Sequence, residues 1–171
     1  MFGADGADKL VELRDVPQSS VGAPCPVVLA DEYHIFLAYF LRAPAPNWDG
    51  STVRVDGPGS ETEPVALVSF VGPYAHQFGP PNDETISGHR LYNKGLEPYS
   101  VFEVTNSSWI AALEKMNSVH PEHSKDSFSS LKHYIFTFHD SVFECVCESY
   151  SVSRTSGSLI GVVSEVANQL G

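Results

Sequence analysis

The sequence has few basic residues, with 10 lysines and arginines against 21 aspartates and glutamates, and its formal net charge is −11. Phosphate backbones and anionic membrane surfaces repel a chain of that charge. Nucleic acid and membranes are therefore not expected as partners. A cation, a basic protein or a neutral small molecule remains open.

Cysteine is also scarce. The chain has three cysteines, an odd number, so they cannot all pair with one another. Cys145 and Cys147 lie two apart on a predicted strand, so they point to the same face and are poorly placed to bridge each other. The absence of a disulfide framework favours a reducing compartment. The amino terminus has no apolar signal core, and the longest apolar stretch, IFLAYFL, is too short to span a bilayer as a helix. These features predict a soluble cytoplasmic protein.

Motifs that would name a reaction are missing. The sequence contains no HExxH, no CxxC, no GxSxG and no phosphate-binding GxxxxGK[ST]. A reaction therefore cannot be assigned from motifs, and the candidate residues have to come from the predicted fold.

The chain is long and apolar enough for one packed domain, with 171 residues of which 42% are hydrophobic. Residues 1–24 are rich in Gly, Asp, Ser and Pro and predict a flexible N-terminal arm. Residues 25–171 are predicted to form a single globular domain.

Apolar runs separated by turn signals predict antiparallel strands. VVLA and IFLAYFL flank the polar pair Asp31-Glu32, as in a hairpin, and the second run is apolar on both faces, as in a central strand covered from both sides. Further strands are predicted at STVRV (an edge strand), PVALVSFVG, YSVFEV and in the segment 131–147.

Two segments predict helices. In NSSWIAALEKMNSVHP, Asn106, Ser107 or Ser108 can cap the first turn, and Ile110, Leu113 and Met116 form one apolar stripe. In GSLIGVVSEVANQLG, Ser158 is the predicted cap of a helix with one apolar face. Strands with two interspersed helices predict an α+β fold, a curved antiparallel sheet of about six or seven strands packed with two helices. An all-β sandwich with peripheral helices is the alternative.

The segment LKHYIFTFHDSVFECVC predicts a hairpin whose two faces differ in chemistry. A two-residue turn at Asp140-Ser141 places six apolar residues on one face, which should be core: Tyr134, Phe136, Phe138, Phe143, Cys145 and Cys147. The other face carries His133, His139, Glu144 and Glu148, with His133 opposite Glu148. Such alternation is typical of a half-exposed sheet face, and this interpretation is favoured over a ligand or metal surface.

The segment 74–92 is the other candidate site. It belongs to a long irregular region in which histidines and acids stand among Gly and Pro, so that backbone groups can approach a ligand closely. Its structural alternative is a loop that only covers a sheet edge. The candidate ligand or metal residues are His76, Asp83, Glu84, His89, His133, His139 and Glu144.

Four stretches, GPYAHQFGPPNDE, SGHRLY, NSSWIAALEKMNSVHP and LKHYIFTFHDSVFECV, together resemble a family of small bacterial proteins to which no biochemical function is assigned. The resemblance implies a bacterial-type soluble domain. It supplies no catalytic residue, cofactor or substrate.

Three functional hypotheses follow. The leading one is a non-enzymatic binding or interaction module for a protein or small molecule, with its recognition surface at the 74–92 loop. Loop aromatics that could contact a partner are Trp48, Tyr74, Tyr92 and Tyr99. The alternative is a metal-dependent enzyme with a carboxylate base; no cofactor can be assigned, although the histidines could hold a divalent metal. The third is a homodimer formed by edge strands such as STVRV.

Overall fold

The computed structural model describes residues 7–42, 57–60 and 63–170. Within these ranges the chain forms nine strands and two α-helices. The strands are β1 (Lys9–Glu12), β2 (Val27–Ala30), β3 (Ile35–Phe40), β4 (Val65–Val71), β5 (Ala75–Gly79), β6 (Val101–Thr105), β7 (Lys132–Thr137), β8 (Val142–Cys147) and β9 (Ser149–Thr155). The helices are α1 (Ser108–Asn117) and α2 (Leu159–Ala167), and short 3₁₀ turns lie at Ile86–Gly88, Tyr92–Lys94 and Lys125–Phe128.

All strand pairings between these elements are antiparallel, and they form two sheets. The larger sheet has the order β1-β6-β7-β8-β5 and the smaller one the order β2-β3-β4-β9. The predicted α+β class, with antiparallel pairing and two helices, is confirmed. The chain crosses from one sheet to the other three times, after β1, after β4 and after β8.

The crossings after β4 and after β8 lie side by side and form a tight corner. Three residues join β4 to β5, and Glu148 alone joins β8 to β9. Gly72 at this corner has a φ of +57°, and a Cβ on it would lie 2.8 Å from the Glu148 side chain. Both the left-handed backbone and the close approach require glycine there.

The two sheets pack face to face around aromatic side chains. Phe70 of β4 lies 6.0 Å from Phe136 of β7 and 5.4 Å from Phe143 of β8, measured between ring centroids. Tyr39 of β3 lies 6.5 Å from Phe136. These buried rings contribute much of the hydrophobic stabilisation, because each removes a large apolar area from water.

Helix α2 covers the outer face of the smaller sheet. Leu159 and Val162 pack there with Phe40 and Val65. The Oγ of Ser158 accepts a hydrogen bond from the Gly161 N–H at 3.1 Å, which confirms the predicted cap. Strand β3 is therefore covered from both sides, as its continuous apolar run predicts.

The outer face of the larger sheet is covered by residues 80–98, the later part of the long region that the sequence predicts to be irregular. Ile86, Leu91 and Leu96 pack there against Ile135 and Val142. The polar side chains of β7 and β8 that share this face are consequently enclosed.

Residues 8–20, predicted as part of the flexible arm, instead pack against the body of the domain. β1 pairs with β6 at the edge of the larger sheet, and the side chain of Val16 enters the core between the sheets. Leu13 donates a backbone hydrogen bond to Val101 at 2.8 Å. The short apolar patch LVEL, although surrounded by loop-forming residues, supplies this edge strand.

The hairpin of β7 and β8 corrects the predicted register. Thr137 pairs with Val142 and His133 with Val146, so the loop contains four residues rather than two. The expected pairing of His133 with Glu148 is therefore wrong. The assignment of side chains to faces is confirmed, because a shift of two residues preserves which side each residue faces.

Two sequence predictions, Trp48 and the edge strand STVRV, lie outside the described residues. None of the helices in the described part of the chain has the length and apolar character needed to cross a membrane.

Candidate functional site

A buried carboxylate, Glu144 of β8, gathers four polar side chains on the outer face of the larger sheet. Arg90 Nη2 donates to its Oε2 at 2.5 Å, and His133 Nε2 lies 2.8 Å from the same oxygen. His89 Nε2 lies 3.4 Å from Oε1, and the Gln77 amide donates to Oε1 as well. Glu144 is 1% exposed and His133 is 0% exposed. The cluster joins β5, β7, β8 and the covering segment 80–98.

The electrostatics of the cluster set the protonation states. Burial opposes ionisation of Glu144, but the hydrogen bonds from His133 and His89, with the charge of Arg90, hold its pKa well below the usual range. Burial lowers the pKa of His133, and the hydrogen bond to Glu144 only partly opposes this. Near neutral pH the site therefore holds a charged carboxylate and a neutral imidazole.

The proton positions follow from these states. An ionised carboxylate only accepts hydrogen bonds, so the His133 proton is on Nε2 and Nδ1 is an acceptor. The Oγ of Ser107 lies 2.8 Å from that Nδ1. In His89, Nδ1 accepts from the Leu91 N–H at 3.2 Å, which places a proton on its Nε2.

A cleft opens beside the Arg90–Glu144 pair. It has a volume of about 220 Å³, and its walls include Phe78, Pro80 and Val142. Arg90 also lines the cleft, and its Nη1 is buried without a hydrogen-bond partner among the described residues. The guanidinium therefore retains an unused donor at the edge of an apolar space.

A second polar cluster fastens the covering segment to the hairpin loop. His139 Nδ1 lies 2.9 Å from Asp83 Oδ2 and 2.8 Å from the Tyr99 hydroxyl, which donates to the same carboxylate. The hydrogen bond from Tyr99 lowers the pKa of Asp83, and the hydrogen bond to Asp83 raises the pKa of His139. Burial, and then Asp83, raise the pKa of Tyr99 to about 12. The pair of Asp83 and His139 is thus held in its charged form.

The predicted ligand residues separate into groups. His89 and His133 both contact Glu144, whereas Asp83 and His139 form the second cluster. His76 stacks on Phe143 at 6.3 Å between ring centroids, and Glu84 is exposed. Within the described ranges, no three His, Cys, Asp or Glu side chains are grouped so that they could hold a metal ion.

The predicted partner contacts also differ among themselves. Tyr74 and Tyr92 are exposed, whereas the Tyr99 hydroxyl is engaged with Asp83 and His139. Arg90 and Gln77 were not among the predicted site residues, although both lie in the 74–92 segment. Their role depends on Glu144, which lies 54 residues after Arg90, so no local pattern shows it.

Comparison with known proteins gives no further guide to this site. No protein-family model, no curated protein and no solved structure matches the chain. The chemistry of the cleft has therefore to be inferred from its own geometry.

Proposed function

We propose that the protein is a binding module whose recognition surface is the cleft at Arg90 and Glu144. Its ligand is a small neutral molecule, or a neutral group of a larger partner, that presents a carbonyl oxygen to Arg90. The observation that carries the proposal is the buried Arg90 Nη1, which has no acceptor among the described residues.

A buried donor without a partner is unfavourable by about 1–3 kcal/mol, and proteins rarely leave one without a role. A ligand oxygen that accepts from Nη1 would remove this penalty. The apolar walls, including Phe78 and Pro80, would cover the rest of the ligand. A volume of about 220 Å³ favours a ligand of few atoms, because sites for larger molecules usually exceed about 300 Å³.

Charge favours a neutral ligand over an anion. The guanidinium of Arg90 is already balanced by the Glu144 carboxylate at 2.5 Å. The net charge of the chain, −11, repels anions at longer range. A carbonyl oxygen, as in an amide, satisfies the donor without adding charge.

The exposed tyrosines of the 74–92 segment indicate how a larger partner could bind, and the cysteines bear on the cellular location of the protein. Exposed Tyr74 and Tyr92 could contact a macromolecule that inserts such a group into the cleft. All three cysteines are free thiols, which supports the proposed cytoplasmic location.

The cleft can be blocked without disturbing Glu144. A Cβ added at Gly88, which lines the cleft, would meet no atom within 4 Å, so Gly88→Leu fills the space without a backbone clash. N-methylacetamide and 2-pyrrolidinone serve as probes in saturation-transfer NMR. We expect dissociation constants on the order of 1 mM for the wild type and at least about tenfold weaker binding for Gly88→Leu.

The control is Gly22→Leu, because Gly22 also has no atom within 4 Å of an added Cβ but lies outside the cleft. It should bind the probes as the wild type does. Failure of both probes to bind the wild type would contradict the proposal, and so would equal binding by Gly88→Leu.

A further inference from the structure

A groove at the beginning of α1 lies outside the proposed ligand cleft. Its volume is about 440 Å³, within the range of small-molecule sites. Apolar walls come from Ile110 and Ala111 of α1 and from Phe128 and Leu131 of the segment before β7. Ser107 also lines the groove, and 7% of its surface is exposed.

The hydroxyl of Ser107 is the end of a hydrogen-bonded chain. It lies 2.8 Å from His133 Nδ1, and His133 Nε2 lies 2.8 Å from Glu144 Oε2. Because the Nε2 proton is directed at the carboxylate, Nδ1 has to accept, and the Ser107 hydroxyl donates to it. A serine hydroxyl donating to a neutral imidazole whose other nitrogen is fixed by a carboxylate is the arrangement that activates a serine nucleophile.

The position of Ser107 in the chain also favours an alkoxide. Ser107 is the N-cap of α1, and its Oγ accepts from the Ile110 N–H at 3.2 Å. This N–H stabilises negative charge on Oγ, while the Asp8 carboxylate accepts from the neighbouring Ser108 N–H at 2.7 Å. The preceding residue, Asn106, has a φ of +53° and makes the sharp turn from β6 into the cap.

We propose that Ser107, His133 and Glu144 form a hydrolytic site for small esters with an apolar acyl group, which the groove accommodates. Ser107 Oγ attacks the carbonyl carbon while its proton passes to His133 Nδ1. The tetrahedral intermediate expels the alcohol, which takes that proton from His133. Water then attacks the acyl-serine, gives a proton to His133, and the carboxylic acid leaves as the proton returns to Oγ.

Each residue has a distinct part in this sequence. Ser107 is the nucleophile and His133 the general base and acid. Glu144 orients the imidazole and stabilises the imidazolium, and it stays ionised throughout. Arg90 does not touch the groove; it balances the charge of Glu144 from the other side.

The chain contains its own control for the reactivity of Ser107. Ser158 caps α2 in the same way, with Oγ accepting from the Gly161 N–H at 3.1 Å, but no histidine in the described part of the chain is bonded to it. A fluorophosphonate reagent, which phosphonylates activated serines, should therefore label Ser107 and leave Ser158 unlabelled. Peptide mass spectrometry identifies the labelled residue.

Hydrolysis of p-nitrophenyl butyrate gives the second readout. Ser107→Gly retains most of the cap energy, so the protein should remain folded. We expect it to lose the label and to reduce hydrolysis at least about 100-fold, whereas Ser158→Gly retains both. The proposal is overturned if the wild type is not labelled at Ser107, or if Ser107→Gly hydrolyses the ester as the wild type does.

The outcome is separate from that of the cleft experiment. Gly88→Leu changes the Arg90 cleft but not the groove, so it should be labelled at Ser107 like the wild type. If the amide probes do not bind, the labelling of Ser107 can still occur. If Ser107 is not labelled, the amide probes can still bind to the Arg90 cleft.

Discussion

Replacing Glu144 with alanine is expected to lower the free energy of unfolding by about 3–5 kcal/mol. The carboxylate compensates the guanidinium of Arg90 and accepts from Gln77, His89 and His133. Its removal leaves the Arg90 charge and the His133 N–H enclosed without an acceptor. In a protein of this size the melting temperature should fall by about 6–20 °C.

Urea unfolding measures the effect, with an unchanged denaturant slope as the sign that the unfolded state is not altered. Glu84→Ala is the control, because this carboxylate is exposed in the same covering segment and should change stability by less than about 0.5 kcal/mol. The double variant Glu144→Met/Arg90→Met should recover part of the loss, since it removes both charges. A loss below about 1 kcal/mol for Glu144→Ala would contradict the described network.

The packing of the two sheets against each other predicts a second large loss of stability, for a substitution at Phe143. Phe143 of β8 is 0% exposed and contacts Phe70 of the opposite sheet and Phe136 of its own sheet. Phe143→Ala should therefore lower the free energy of unfolding by about 3–5 kcal/mol, measured by urea unfolding.

The neighbouring Phe78 provides the comparison. Its ring lies 6.4 Å from that of Phe143, but Phe78 is 46% exposed on the edge strand β5. Phe78→Ala should cost about 1 kcal/mol or less, since nearly half of its surface is already in contact with water in the folded protein. Equal losses for the two variants would show that Phe143 does not lie between the sheets.

The faces of the β7–β8 hairpin could be predicted from the sequence, but their environment could not. Side-chain alternation identifies the aromatic face that packs on the other sheet, and that assignment survives the change of register. The same alternation suggests a half-exposed polar face. The covering segment encloses it instead, and the contact of Arg90 with Glu144 depends on chain segments far apart in sequence.

Besides β1, which lies in the predicted arm, two strands escaped prediction because their patterns are weak. In β5, AHQFG has no apolar alternation, and in β9, SYSVSRT alternates serine with tyrosine, valine and arginine. Both are edge strands, which can remain polar because one side of the backbone has no neighbouring strand.

For helix α1, the spacing of apolar residues does not predict which side chains are buried. Its bounds and its cap at Ser107 agree with the sequence signals, yet Met116 of the predicted apolar stripe is 63% exposed. The buried residue is Trp109, which packs edge-on against His133 at 5.0 Å between ring centroids. The helix contacts the sheet through its first turn, and no periodic pattern encodes such a contact.

Histidine side-chain ¹⁵N correlation spectra across a pH series test the Ser107–His133–Glu144 arrangement most directly. Because burial lowers the pKa of His133, its ring should stay neutral, with the proton on Nε2, from about pH 8 to well below the ordinary value of 6.5. His139, whose pKa the Asp83 hydrogen bond raises, should become protonated at a higher pH in the same spectra. A His133 ring that titrates at or above its ordinary pKa, or that carries its proton on Nδ1, would contradict the arrangement.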